Sequence, residues 1–235
     1  MAAVELYVRQ KMSTTEYILD DARIAYREDG YVDVLGREPD LVLHQTDEAI
    51  PHIDTYRFPK AEGFLVGDCI VYLTGGMSDL PQPKTEDYDE ESQKIELSAY
   101  SQEAQMTDSG ETDFIGWILG WMAHYPFEQD TCFLQGQTFD WGKPLTPTSA
   151  MHGFYFAAIP FIDGDDLCRK SGTASSILHL VTLSKAELEL SYERGVDELL
   201  ETLQRSGVTP FFDLRRQCTI MGEQAVPPKS DRAGG

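Results

Sequence analysis

Positive charge is what this sequence lacks most. Its 19 lysines and arginines stand against 40 aspartates and glutamates, a formal net charge of −21. Proteins that grip DNA or RNA by the phosphates release counterions through a basic surface, which this composition does not supply. The same deficit argues against docking on an anionic membrane and suits a basic protein partner. Solubility is the plainer reading of the acidity.

Cysteine is scarce and scattered. Cys69, Cys132, Cys168 and Cys218 form no CxxC pair, so neither a zinc site nor a disulfide framework is indicated, and a reducing cytoplasm is the simplest home. Long apolar runs are missing, and none approaches the ~20 residues that a membrane helix needs. The richest segment, "FIGWILGWMAHY" from Phe114 to Tyr125, reads as a buried helix. The opening "MAAVELYVRQKMSTTEY" has no positive n-region followed by an apolar h-region, so no secretory signal is expected. HExxH, HxxxH, G-x-x-x-x-G-K-[ST] and G-x-G-x-x-G are all absent.

What is present is the composition of a folded protein, with 41% hydrophobic and 11% aromatic residues in a chain of 235. Ser13 and Glu16 are spaced as a capping box, and Ile18, Ala22 and Ala25 continue along one face of a first helix. "PHIDTYRFP", "DCIVYLT", "KIELSAYS", "MHGFYFAAIPF" and "SSILHLVTL" read as strands, the second buried on both faces. "TCFLQGQTFDW" suggests a strand pair turning near Gly136, and "DGDDLCRKSG" a polar turn. "YPF" is expected to end the tryptophan-rich helix, because the residue before a proline disfavours helix. Trp117 and Trp121, four apart, share a helix face; core packing is the default reading, an exposed hot spot the other.

The clearest helix comes late. Ser184 and Glu187 form a second capping box, and Leu188, Tyr192, Val196, Leu199 and Leu203 recur at helical spacing. Gly195 inside that run implies a kink or two short helices, and Gly207 suits the final cap. No repeat or clean linker divides the chain. The expected fold is a single α+β domain over residues 1–216, a central mixed sheet flanked by helices near both ends, with a loose tail at 217–235.

The chemistry turns on "TGGMSDLPQP". Gly76 and Ser78 have the look of a nucleophile elbow, but Leu80 stands where a second glycine belongs, and Pro81 and Pro83 remove the following helix. A turn that uses glycine's backbone freedom is the better reading. His52 and Asp54 share a strand face and form a local hydrogen-bonded pair rather than a metal site, which would need a third ligand. No catalytic, cofactor or metal residue is expected. Glu86, Asp87, Asp89, Glu90 and Glu91 crowd an acidic loop, read as solvated, with a partner-docking surface as the alternative.

Taken in order, these segments resemble the suppressor-of-fused domain family, from about Ser13 to Arg216. The residues that carry the resemblance are His52, Ile53 and Asp54; Thr74, Gly76, Met77 and Ser78; Glu96 and Leu97; and Ser184, Glu187 and Gly195. Gly75 stands where the family pattern usually has serine, and "LVTLS" replaces a clean "LPIT". The length is similar to that of the compact single-domain bacterial members. The resemblance implies binding rather than catalysis, as a cytosolic immunity protein that neutralises a cognate toxin by occlusion, with a basic toxin domain as the partner that the charge would suit. A regulatory scaffold with no toxin partner is the alternative, and a hydrolase using Ser78 the enzyme rival.

Overall fold

The structure is a computed structural model that describes residues 21–44, 50–60, 69–106, 113–172 and 176–220. Seven strands form one mixed sheet: β1 (Leu41–Leu43), β2 (Asp54–Phe58), β3 (Ile70–Gly75), β4 (Ile95–Ser101), β5 (Thr138–Asp140), β6 (Met151–Ala158) and β7 (Ser176–Ser184). Their spatial order is β1-β2-β3-β4-β7-β6-β5, antiparallel throughout except for the parallel pair β4–β7. The helices are α1 (Asp21–Leu35), α2 (Phe114–Gln129), α3 (Gly164–Ser171), α4 (Lys185–Arg194) and α5 (Val196–Arg205). The expected α+β domain with a mixed sheet is the fold observed.

The period-two geometry of strands sorts side chains to opposite faces, and here both faces are covered. In β7, Leu178 and Leu180 point into the cluster under α2, while Ile177, Val181 and Leu183 point the other way. That second face carries α1 and α3 over one half of the sheet, and α4 and α5 over the other. β3 is buried along its whole length, as its apolar run implied.

Several local expectations change. The capping box at Ser13 and Glu16 lies outside the described residues, but α1 runs on through Gly30 to Leu35. A Cβ at Gly30 would sit 2.4 Å from the Lys170 carbonyl oxygen, so this glycine lets α1 and α3 approach backbone to backbone. "DGDDLCRKSG" is helix α3, not a turn. Asp163 caps it by accepting from the Asp166 N–H, and it buries Leu167, Cys168 and Ser171 at helical spacing. Pro126 does not stop α2, which continues to Gln129: the proline supplies no backbone donor, but its carbonyl accepts from the Asp130 and Thr131 N–H groups that close the helix. "TCFLQGQTFDW" contributes one strand, β5, while Phe133 drops into the core. The late run is two helices joined at Gly195, and Tyr192 is 62% exposed rather than on the buried face.

β4 and β7 pair only from Ile95↔Ser176 to Ser98↔His179. Beyond that they separate, and the chain's last described segment runs between them. The Phe212 N–H donates to the Tyr100 carbonyl, and Arg216 donates to the Thr182 carbonyl. Arg216 also grips Glu187, whose carboxylate accepts from the Ser184 and Thr219 N–H groups. Burial pushes the Glu187 carboxyl up, but Arg216 and these N–H groups hold it below its ordinary value. Cys218 to Ile220, where a loose tail was expected to begin, are therefore held against α4.

His179 sits at the point of separation. The Pro210 carbonyl can only accept, so Nε2 carries the proton and donates to it at 2.6 Å. Nδ1 then accepts from the Ser98 hydroxyl at 2.9 Å. Burial lowers this imidazole to about 4, against a smaller opposing effect of the Pro210 bond. Because the folded value lies below the unfolded 6.5, its contribution is complete above pH 6.5 and declines as pH falls. By pH 5 the loss is about 2 kcal/mol. Urea unfolding should show a lower midpoint at pH 5 than at pH 7, and His179→Gln should shrink that difference.

Candidate functional site

The signature residues of the "TGGMSD" turn converge on one buried carboxylate. Glu96, at the start of β4, has no exposed surface. Its Oε1 accepts from the Gly76 N–H at 3.0 Å, the Ser78 N–H at 3.1 Å and the Ser78 hydroxyl at 2.7 Å. Its Oε2 accepts from the Thr74 hydroxyl at 2.7 Å, and Thr74 Oγ1 in turn accepts from the Leu97 N–H. Four donors on one carboxylate offset a burial that would otherwise be costly.

The turn's shape follows from this. Gly76 has φ 116 and opens a single 3-10 turn, Met77–Asp79. A Cβ there would lie 2.0 Å from the His52 carbonyl oxygen, so the turn rests directly on the backbone that leads into β2. That contact brings the "HID" and "GMS" segments together and leaves no room for a side chain at Gly76. At Gly75 a Cβ would lie 2.7 Å from Arg27 Cδ and 2.8 Å from Tyr56 Cε2, which leaves no room for a side chain. Arg27, 1% exposed, reaches in from α1 to Asp79 at 2.5 Å. Burial would lower its pKa, but the negative charge of Glu96, with help from Asp79, raises it. Tyr31, one helical turn on, donates to the Thr74 carbonyl at 2.8 Å.

Ser78 is thus fully buried, with its proton committed to a carboxylate. A nucleophile needs access to substrate, and this hydroxyl, without exposed surface, has none. The His52–Asp54 pair is present at 3.2 Å, and His44 joins it from the end of β1 at 3.1 Å. Sequence reasoning missed His44, because the pairing of β1 with β2 is what brings it there. Glu187 lies apart, at the start of α4, in its own hydrogen-bonded cluster.

In the acidic loop Glu86, Asp87 and Asp89 are exposed, and Asp89 caps a single helical turn that includes Glu90 and Glu91. The stretch that leads into these residues is anchored, since Gln82 and Thr85 are buried. Gln82 Nε2 donates to the Phe133 carbonyl at 3.0 Å, and its Oε1 accepts from the Phe133 N–H at 2.9 Å. This two-way amide bond anchors the loop to the segment before β5.

The largest departure from expectation concerns tryptophan. Trp117 is 46% and Trp121 37% exposed, so neither is core. The start of α2 is set by Asp113, which accepts from the Ile115 and Gly116 N–H groups while Arg57 and Tyr72 grip its other oxygen. So placed, α2 presses Gly116 and Gly120 toward Leu43 and Thr55, and the tryptophans face away. Those glycines, four apart, were the legible sign of the inward side. Trp141, just after β5, completes the cluster with its ring 4.3 Å from that of Trp121.

The family described as Suppressor of fused protein (SUFU) matches residues 50–217, which include the whole of this hydrogen-bonded turn. The chain belongs to the suppressor of fused family. Among solved structures, a putative SUFU homolog from Neisseria gonorrhoeae is 18% identical, with a TM-score of 0.57, covering 85% of this chain and 100% of the other. A chain of the Sufu–Fu complex is also 18% identical with a TM-score of 0.57, covering 82% of this chain and 90% of the other. No curated protein sequence matches. Among the described residues no helix is long and apolar enough to cross a membrane.

For a suppressor-of-fused chain built this way, the turn has a structural job whose removal is measurable. Ser78→Ala leaves Glu96 one donor short and should cost about 1 to 3 kcal/mol in urea unfolding. Glu96→Ala strands four donors and should cost about 3 to 5 kcal/mol. Equal stability of Ser78→Ala and wild type would overturn this account of the turn.

Proposed function

We propose that this chain is a non-catalytic binding protein whose partner is a basic protein domain, acting as an immunity protein that neutralises a cognate toxin by occlusion. The observation that carries the non-catalytic reading is the burial of Ser78 against Glu96. The motif with the strongest catalytic look is consumed in core hydrogen bonds. Membership of the suppressor of fused family supports binding, and a protein of this fold is found in the Sufu–Fu complex. The net charge of −21 supports a basic partner, since opposite charge speeds encounter and suppresses wrong partners.

A regulatory adaptor is the second reading. It shares the binding function and differs only in having no toxin partner. Gene neighbourhood separates the two: a secreted toxin gene immediately upstream supports immunity, and its consistent absence from related loci supports the adaptor.

Co-purification with the product of the neighbouring gene should yield a stable complex whose association rate falls as ionic strength rises. Association that salt does not slow would remove the electrostatic part of the proposal. Absence of any complex, together with growth inhibition by the neighbouring gene product that co-expression fails to relieve, would remove immunity.

A further inference from the structure

All three tryptophans of the chain stand on one surface. Single exposed aromatics are ordinary, whereas a contiguous exposed cluster marks an interaction site, and tryptophan is the residue most enriched at binding hot spots. Trp117 and Trp121 project from α2, with the Trp141 ring 6.5 Å from the first and 4.3 Å from the second. Tyr125, 5.2 Å from Trp121, and Phe139, 6.4 Å from Trp141, carry the aromatic surface onward. Both line a groove of about 470 Å³, whose lining also includes Lys84 and Asp130.

Lys84 stands at the root of the acidic loop. Lys84 is paired with Asp130 at 3.2 Å, and Gln82 fastens the loop to Phe133 in the same groove. Beyond Lys84 the loop exposes Glu86, Asp87 and Asp89. α2 itself carries no lysine or arginine. The aromatic cluster therefore leads, through one groove, to the root of a loop that exposes carboxylates, and indole rings and carboxylates are the two features that hold a guanidinium or ammonium group.

We propose that this combined face is the docking surface, and that its occupant is an arginine- or lysine-bearing segment of a basic protein. The assignment rests on the binding function proposed above and adds where the partner sits and what chemistry it presents. The partner's cations lie over the indole rings while the loop carboxylates take the remaining positive charge. The acidic loop and the tryptophans form one site.

Intrinsic fluorescence reads this directly, because every tryptophan of the chain reports from the proposed site. Titration with an octa-arginine peptide should shift tryptophan emission, and an octa-glutamate peptide should not. Trp117→Ala/Trp121→Ala should weaken binding of fluorescein-labelled octa-arginine, and of the neighbouring gene product, at least tenfold, with circular dichroism unchanged. If that double variant does not fold, Trp117→Lys at the most exposed ring serves instead and should weaken both. Glu86→Gln/Asp87→Asn/Asp89→Asn should weaken binding several-fold, whereas Glu193→Gln/Asp197→Asn/Glu201→Gln on α4 and α5 should leave it unchanged. Undiminished binding by the folded tryptophan variants, or equal loss from the distal neutralisation, overturns this surface while leaving the binding function intact. Failure of the wild type to bind any basic protein overturns the binding function itself.

Discussion

The carboxylate of Glu96 is the interaction on which this structure turns. An ionised group without exposed surface is tolerated only where donors surround it, and here four are drawn from the end of β3 and the turn beyond it. Satisfying that charge fixes the backbone of Gly76 and Ser78. The turn's position then fixes its contact with His52, and Arg27 of α1 is drawn to Asp79 beside it. One buried charge thereby locks together β2, β3, β4 and the first helix.

Two other carboxylates do the same work at other joints. Asp113 receives Arg57 from β2 and Tyr72 from β3 while capping α2, which sets where that helix begins on the sheet. Glu187 caps α4 and takes Arg216, which closes the gap where β4 and β7 separate. Although the chain carries a large excess of acid, these three carboxylates are buried and bonded at both oxygens. Among the described residues, most of the other carboxylates are on the surface.

The parts of the fold that depend on neighbours in sequence were legible in advance. Alternation and apolar density marked β2, β3, β4, β6 and β7, and Ser184 with Glu187 marked the start of α4, because caps and strand periods are local. α3 was missed because its apolar stripe is only Leu167 and Cys168 within a polar, glycine-flanked segment. β1 was missed because three residues carry no period of their own and exist as a strand only through pairing with β2. The family signature was legible as a pattern, but its meaning was not. Thr74, Gly76, Ser78 and Glu96 lie up to 22 positions apart and meet only across paired strands.

The sequence by itself determined an acidic α+β domain, most of its strands, the cap of its late helix and the lack of a complete nucleophile-elbow pattern around Ser78. These follow from composition and from short-range stereochemistry, which no distant contact alters. Tertiary structure alone decided what faces outward. α2 is apolar nearly all round, so its own period does not choose an inner side. The choice was made by Asp113 held from two strands and by glycines close to Leu43 and Thr55. That choice turned the tryptophans from expected core into exposed surface.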